Sequence, residues 1–304
     1  MKSGRVHAAA LISMFFWGIS YIWSKIVFET YSPLTTIFLR LTVSFGFLIL
    51  VLYLGRQQEK IRREDYLLFV VSAALNPFLY FIGENFGLSM SSASLSAIII
   101  ATIPLFAPIA AWYAFKEKLK RVNLLGLVLS FAGLLVIILN KDFELTANPL
   151  GLMFLFLAVV SAVFYSILLK KLTDRYKPLT IITWQNMLGL LYFLPFFLIM
   201  DGKHFISVVP NFRTLGAIVL LGVFASSVSF ILFTYTIKNL GIIKSNLYTN
   251  LIPIFTAVFS VIILGEDITF QKIIGIFIVI SGVVLSESGK VIYARRQRNR
   301  NKSF

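Results

Sequence analysis

Asn76, Tyr80 and Glu84 follow one another at intervals of four, the spacing that stacks side chains on one face of a helix. The stripe offers an amide, a phenol and a carboxylate. Glu84 could hold a substrate ammonium or carry a coupling proton, or it could form a static pair with Arg40. Twelve of the thirteen acidic residues fall in loops or at the ends of apolar runs, and Glu84 is the exception. Ionisable groups at membrane depth are costly and face the interior of a bundle. A second stripe holds Asn246, Asn250 and Pro253, with Thr249 beside it. Asparagine amides join helices or contact substrate, and Pro253 leaves the Thr249 carbonyl without its helical donor. Trp17, next to Gly18 and Ser20, and Tyr165 and Tyr235, inside later apolar runs, complete the expected substrate contacts. Pro104 and Pro253, both mid-run, are the expected hinges.

These residues sit in long apolar runs. The chain has 304 residues, 58% of them hydrophobic and 13% charged, with a mean hydropathy of +0.87. That composition predicts an all-α integral membrane protein. Ten spans fit, at about 6–28, 34–54, 66–87, 92–115, 122–140, 149–170, 179–200, 213–237, 243–264 and 271–288. Pro33, Pro149 and Pro178 stand at helix starts, where a missing N–H costs little. The N-terminal run is too long for a signal peptide and no small-residue cleavage site follows it, so it reads as a retained first span.

The chain repeats itself. Ile103-Pro104-Leu105-Phe106 returns as Ile252-Pro253-Ile254-Phe255, and the same offset places Glu117 on Glu266, Gly126 on Gly275 and Gly133 on Gly282. Residues 1–145 and 146–290 read as two five-helix repeats, followed by a basic tail, 291–304. An odd number of spans per repeat inverts the second relative to the first, the plan on which many secondary transporters build a central site. Charge agrees. Of 28 Lys and Arg, 22 fall in the tails and loops of one side and 4 on the other, with Lys25 and Arg40 inside spans. The positive-inside rule then puts both termini in the cytoplasm, with the basic tail near anionic headgroups. Glu117 and Glu266 are expected to fix the turns into spans five and ten. The glycines seven apart predict close helix contacts. Lys25 is expected to snorkel outward, with a gate contact or attraction of an anionic substrate as the alternatives, and Trp23 and Trp112 are expected in the interfacial belt.

Two five-helix halves with a mid-span proline, a glutamate-bearing turn and a glycine-bearing fifth helix resemble the drug/metabolite transporter superfamily, and its EamA branch in particular. The matching stretches are Ile103–Gly133 and Ile252–Gly282. Trp17-Gly18, Phe38-Leu39-Arg40 and the pair Pro33-Leu34-Thr35 and Pro178-Leu179-Thr180 add to the likeness, the last setting Gln185 opposite Arg40. The resemblance implies a cavity enclosed by spans one, three, four, six, eight and nine.

Function follows as an expectation: a secondary transporter exporting small metabolites such as amino acids across a bacterial-type inner membrane by alternating access, driven by a proton gradient or by exchange. An exchanger of larger nucleotide-type substrates is the alternative. An enzyme is not expected, since the chain has two histidines and no cysteine and lacks HExxH, Walker A and GxSxG motifs. A sensor would need an appended domain for which the tails are too short. No cofactor, metal or nucleic acid is expected; substrate and membrane lipid are the expected partners.

Overall fold

The computed structural model describes residues 2–106, 121–138, 147–267, 269–282 and 284–285. Trp112, Glu117 and its basic neighbours, and the basic tail lie outside the described residues. In chain order the helices are α1 (Lys2–Phe28), α2 (Pro33–Leu54), α3 (Arg63–Ser89), α4 (Ala93–Phe106), α5 (Arg121–Ile138), α6 (Pro149–Thr173), α7 (Pro178–Ser207), α8 (Phe212–Ile242), α9 (Tyr248–Leu264) and α10 (Phe270–Gly282). Helices α1, α2, α3, α6, α7 and α8 are each long and apolar enough to cross a membrane. Among the described residues there is no strand. This is a multi-pass, all-helical membrane fold.

Local chemistry sets the helix starts. Pro33 opens α2 behind Ser32, whose hydroxyl accepts from the Thr35 N–H at 3.1 Å. Pro149 opens α6 behind Asn148, which accepts from Leu150 N at 2.9 Å. More distant groups then add a second layer of caps. Asp201, at the far end of α7, accepts from the backbone N and hydroxyl of Thr35 at 3.2 and 2.7 Å and from the Ser32 hydroxyl. Glu59, past the end of α2, accepts from Lys177 N at 3.0 Å and the Thr180 hydroxyl at 2.8 Å, at the start of α7. The two antiparallel helices therefore cap each other at opposite ends of the bundle. Near Glu59, buried Asp65 accepts from Arg175 at 2.5 Å and from the Tyr176 hydroxyl at 2.6 Å. Burial first, and the Asp65 bond second, hold the Tyr176 phenol above its ordinary pKa, so it stays a donor.

The expected glycine contacts bring α5 and α10 together. A Cβ on Gly282 would lie 2.4 Å from Ser130 N and 2.7 Å from the Gly126 carbonyl, and one on Gly133 would lie 2.7 Å from Val279 N. Gly18 likewise lets α1 meet α9, where the Thr256 hydroxyl donates to the Gly18 carbonyl at 2.9 Å. Trp23 is corrected: it is buried in the core, 9% exposed, among apolar neighbours rather than in an interfacial belt.

Because the atoms facing Gly282 are backbone, they cannot swing aside. Gly282→Ala is expected to cost about 2 kcal/mol, read as a lowered Tm of the purified protein in detergent. Gly216→Ala, which meets open space, is the control and should leave the Tm unchanged. Equal behaviour of the two would refute the close contact.

Candidate functional site

Irregular turns supply the acceptors that hold the site together. In α3 the chain leaves helical geometry at Asn76 (φ −141°, ψ 117°) before Pro77. The Leu75 carbonyl, which takes the Tyr80 N–H across the break, also accepts from Ser161 of α6, at 2.6 Å. In α8, residues Leu221–Val228 form wider π-helical turns, a distortion common at functional sites. Carbonyls there take side-chain donors: Ala225 accepts from Trp17 Nε1 at 3.2 Å, and Ser226 accepts from Asn186 of α7 at 3.2 Å. At the start of α9, the short turn Tyr248–Leu251 precedes Pro253, and in α4 a turn at 101–102 precedes Pro104. Both prolines thus sit where a helix restarts.

These devices surround a central cavity of about 80 Å³. Its wall is shared by α1 (Trp17, Ser20, Tyr21), α2 (Arg40), α3 (Asn76, Tyr80, Phe81, Glu84) and α4 (Ile100, Ile103) on one side. The other side comes from α6 (Ala162, Tyr165, Ser166, Leu169), α8 (Phe230, Phe233, Ile237) and the α8–α9 junction (Asn246, Thr249, Ile252). It combines an aromatic wall with one ion pair.

That pair is Arg40 and Glu84. Arg40 Nη1 lies 3.4 Å from Glu84 Oε2, and the two side chains are 3% and 12% exposed. Each charge has further support. Arg40 Nε donates to Ser226 Oγ at 2.8 Å, and the guanidinium lies 4.2 Å from the Phe81 ring centroid. Tyr80 donates to Glu84 Oε1 at 2.9 Å, and the Tyr21 hydroxyl reaches both Glu84 and Tyr80. A buried charge must find such partners, since removing them from water costs several kcal/mol.

The structure brings Trp17, Asn76, Tyr80, Glu84, Tyr165 and Asn246 to one cavity. The stripe on α3 is not one continuous helical face, because Asn76 arrives through the break before Pro77. Tyr165 lines the cavity while its hydroxyl donates to Gln185 at 2.9 Å, and Gln185 donates to Ser72 at 3.1 Å. Gln185 and Arg40 therefore anchor separate networks. Tyr235 is outside the lining, where Phe230, Phe233 and Ile237 represent α8. Asn250 also lies outside the lining; it is buried with neither amide atom bonded, and Asn246 Nδ2 is likewise unbonded. Sequence reasoning missed Tyr21, four residues beyond Trp17 on the same face of α1. It also gave no place in the cavity to Ser166 or Phe81.

Two further expectations are corrected. Glu266 caps the start of α4, not its own turn: it accepts from Ala93 N at 2.7 Å and from the Ser94 hydroxyl at 2.8 Å. Lys25 does not reach outward alone, because its ammonium donates to the Ser91 carbonyl at 2.6 Å. Pro104 directly follows Ile103, which lines the cavity.

A polytopic helical fold with a polar, aromatic cavity shared by both halves defines the class: a membrane transport protein. The profile of the EamA-like transporter family matches residues 5–139 and again residues 149–287. The chain belongs to that family. Uncharacterized transporter YcxC of Bacillus subtilis (strain 168) is 29% identical over 289 residues, covering 91% of each chain. An uncharacterized transporter of Archaeoglobus fulgidus is 24% identical, covering 93% of this chain and 98% of its own. A solved crystal structure superimposes with a TM-score of 0.70 over 92% of this chain and 97% of its own, at 13% identity. At that identity the likeness concerns the fold alone.

Arg40→Ala strands Glu84 in the interior and is expected to destabilise the protein by about 3 kcal/mol. Adding Glu84→Gln should recover part of that loss, since the stranded charge is then gone. Thermal unfolding of the single and double variants checks it, and strictly additive losses would show the two groups to be uncoupled.

Proposed function

We propose that this transporter is a ten-span carrier of two inverted five-helix repeats, 1–145 and 146–290, that exports small metabolites such as amino acids by alternating access. The observation that carries the reading is the cavity, walled by helices of both repeats around the Arg40–Glu84 pair. Two separate family matches, one per half, support the repeat. The reciprocal caps support its inversion: Asp201 binds the start of α2 and Glu59 the start of α7, at Thr35 and Thr180, which occupy matching Pro-Leu-Thr segments. The lopsided charge count supports a bacterial-type cytoplasmic membrane with both termini inside. In that orientation the Asp201 end is outer and the Glu59 end cytoplasmic.

Substrate entry and release require the helices around the cavity to part. Pro104 and Pro253, at restarting helices, are the proposed hinges. A zwitterion suits the pair: its carboxylate faces Arg40, its ammonium faces Glu84, and its side chain meets Trp17, Phe230 and Phe233. Asn76, Tyr80, Tyr165 and Asn246 supply the uncharged contacts, with Tyr235 and Asn250 acting from behind the wall. Glu84 is the proposed proton carrier, because it is the carboxylate of the cavity. Exchange of nucleotide-type substrates fits less well: among the described residues Arg40 is the single cation in the lining, and it is already bonded to Glu84 and Ser226.

Counterflow of labelled amino acids into proteoliposomes tests the reading, with and without an imposed pH gradient. Saturable counterflow of one amino-acid class is expected, and the gradient should change its rate. In Glu84→Gln the gradient effect should vanish while counterflow persists at a reduced rate, roughly tenfold lower for about 1.4 kcal/mol of lost interaction. A gradient effect that survives the substitution would remove Glu84 as the carrier. A preference for nucleotides would favour the exchanger.

A further inference from the structure

Glu266 stands just past Gly265, whose left-handed backbone (φ 66°) ends α9. From there its carboxylate reaches the first turn of α4: Ala93 N at 2.7 Å, Ser94 N at 3.3 Å and the Ser94 hydroxyl at 2.8 Å. A helix start offers free N–H groups and a positive dipole end, so an anion binds there well. The Ser94 hydroxyl also meets that of Ser260, on α9, at 2.8 Å. One helical turn beyond cavity-lining Tyr21, Lys25 of α1 donates to the Ser91 carbonyl at 2.6 Å, just ahead of α4. Helices α1, α4 and α9, which line the cavity through Tyr21, Ile100 and Thr249, are thus tied together beside its outer side.

The other interhelical caps behave differently. Asp201 on Thr35 and Glu59 on Thr180 are made at both ends of the bundle in one and the same structure. Bonded at both ends at once, α2 and α7 are tied to each other along their full length in this conformation. The Glu266 cluster instead joins helices that must part if the cavity is to open outward.

We propose that Glu266, with Ser94 and Lys25, is the outer gate latch, a set of positioning residues whose release exposes the cavity to the outer face. The proposal rests on the carrier reading for its orientation and for the need to open one face at a time. It adds a role to residues that touch no substrate.

The chain contains no cysteine, so Ser20→Cys places a single thiol in the cavity wall. Its labelling by a membrane-impermeant methanethiosulfonate is measured separately from each face of oriented vesicles. Adding Glu266→Gln is expected to raise the outer rate about tenfold, as loss of a charge-assisted bond would, with the inner rate unchanged or lower. Ser94→Ala, which keeps the carboxylate and guards against a misfolded Glu266 variant, should raise the outer rate about threefold. An unchanged outer rate, including no labelling in any variant, overturns the latch. So does an equal rise from both faces, which marks a loosened fold. Counterflow on the same vesicles separates the two readings. A shifted outer rate without counterflow of any substrate defeats the carrier and leaves the latch, whereas counterflow with unshifted labelling defeats the latch alone.

Discussion

A helix that begins inside a membrane protein carries N–H groups that lipid cannot satisfy, and this chain meets that constraint from the opposite half. Asp201 serves the start of α2, Glu59 the start of α7, and Glu266 the start of α4. Each bond fixes a helix in depth and rotation at once. Thr35, held by Asp201, precedes Arg40 by a little over one turn, so the cap also sets the height of the guanidinium. Glu266 does the same for the run of α4 that leads to Ile100 and Ile103. Side chains of the cavity are positioned from the helix ends inward.

The interior repeats this logic with breaks in place of ends. At the break beside Asn76 and in the wide turns of α8, carbonyls accept side-chain donors from other helices: Ser161, Trp17 and Asn186. The cluster of Ser44, Asn186, Ser226 and Ser227 then backs Arg40, with Ser44 and Ser227 hydroxyls 2.6 Å apart. Hydrogen bonds to both members help such an ion pair stand away from bulk water. The polar heart of the fold is therefore built from helix irregularity as much as from charged residues.

What could be read from sequence was whatever depends on near neighbours. Apolar length marked the long helices, prolines marked the starts of α2, α6 and α7, and glycines seven apart marked the α5–α10 contact. Glu84 stood out because lipid makes a lone carboxylate conspicuous. The failures come from distance and from phase. Glu266 was assigned to its own turn, yet it bonds 173 residues away, and Lys25 found a carbonyl on another helix. The α3 stripe assumed an unbroken helix through Asn76. Tyr235 and Tyr21 look alike as tyrosines in apolar runs, and only the rotational phase of each helix, fixed by tertiary packing, puts Tyr21 in the cavity wall and leaves Tyr235 out of it.

The caps also impose an order on biosynthesis. The carboxylate that completes the start of α2 lies 166 residues further along the chain, and the one that completes α4 lies 173 residues further. Both helices leave the ribosome long before their partners exist. During that interval their open ends must rest at the headgroup layer, where water can satisfy them, and they can take their final depth only when the second half arrives. The first half of this protein is thus inserted early and finished late, and a chain cut between its halves would leave helices in the bilayer with nothing to complete them.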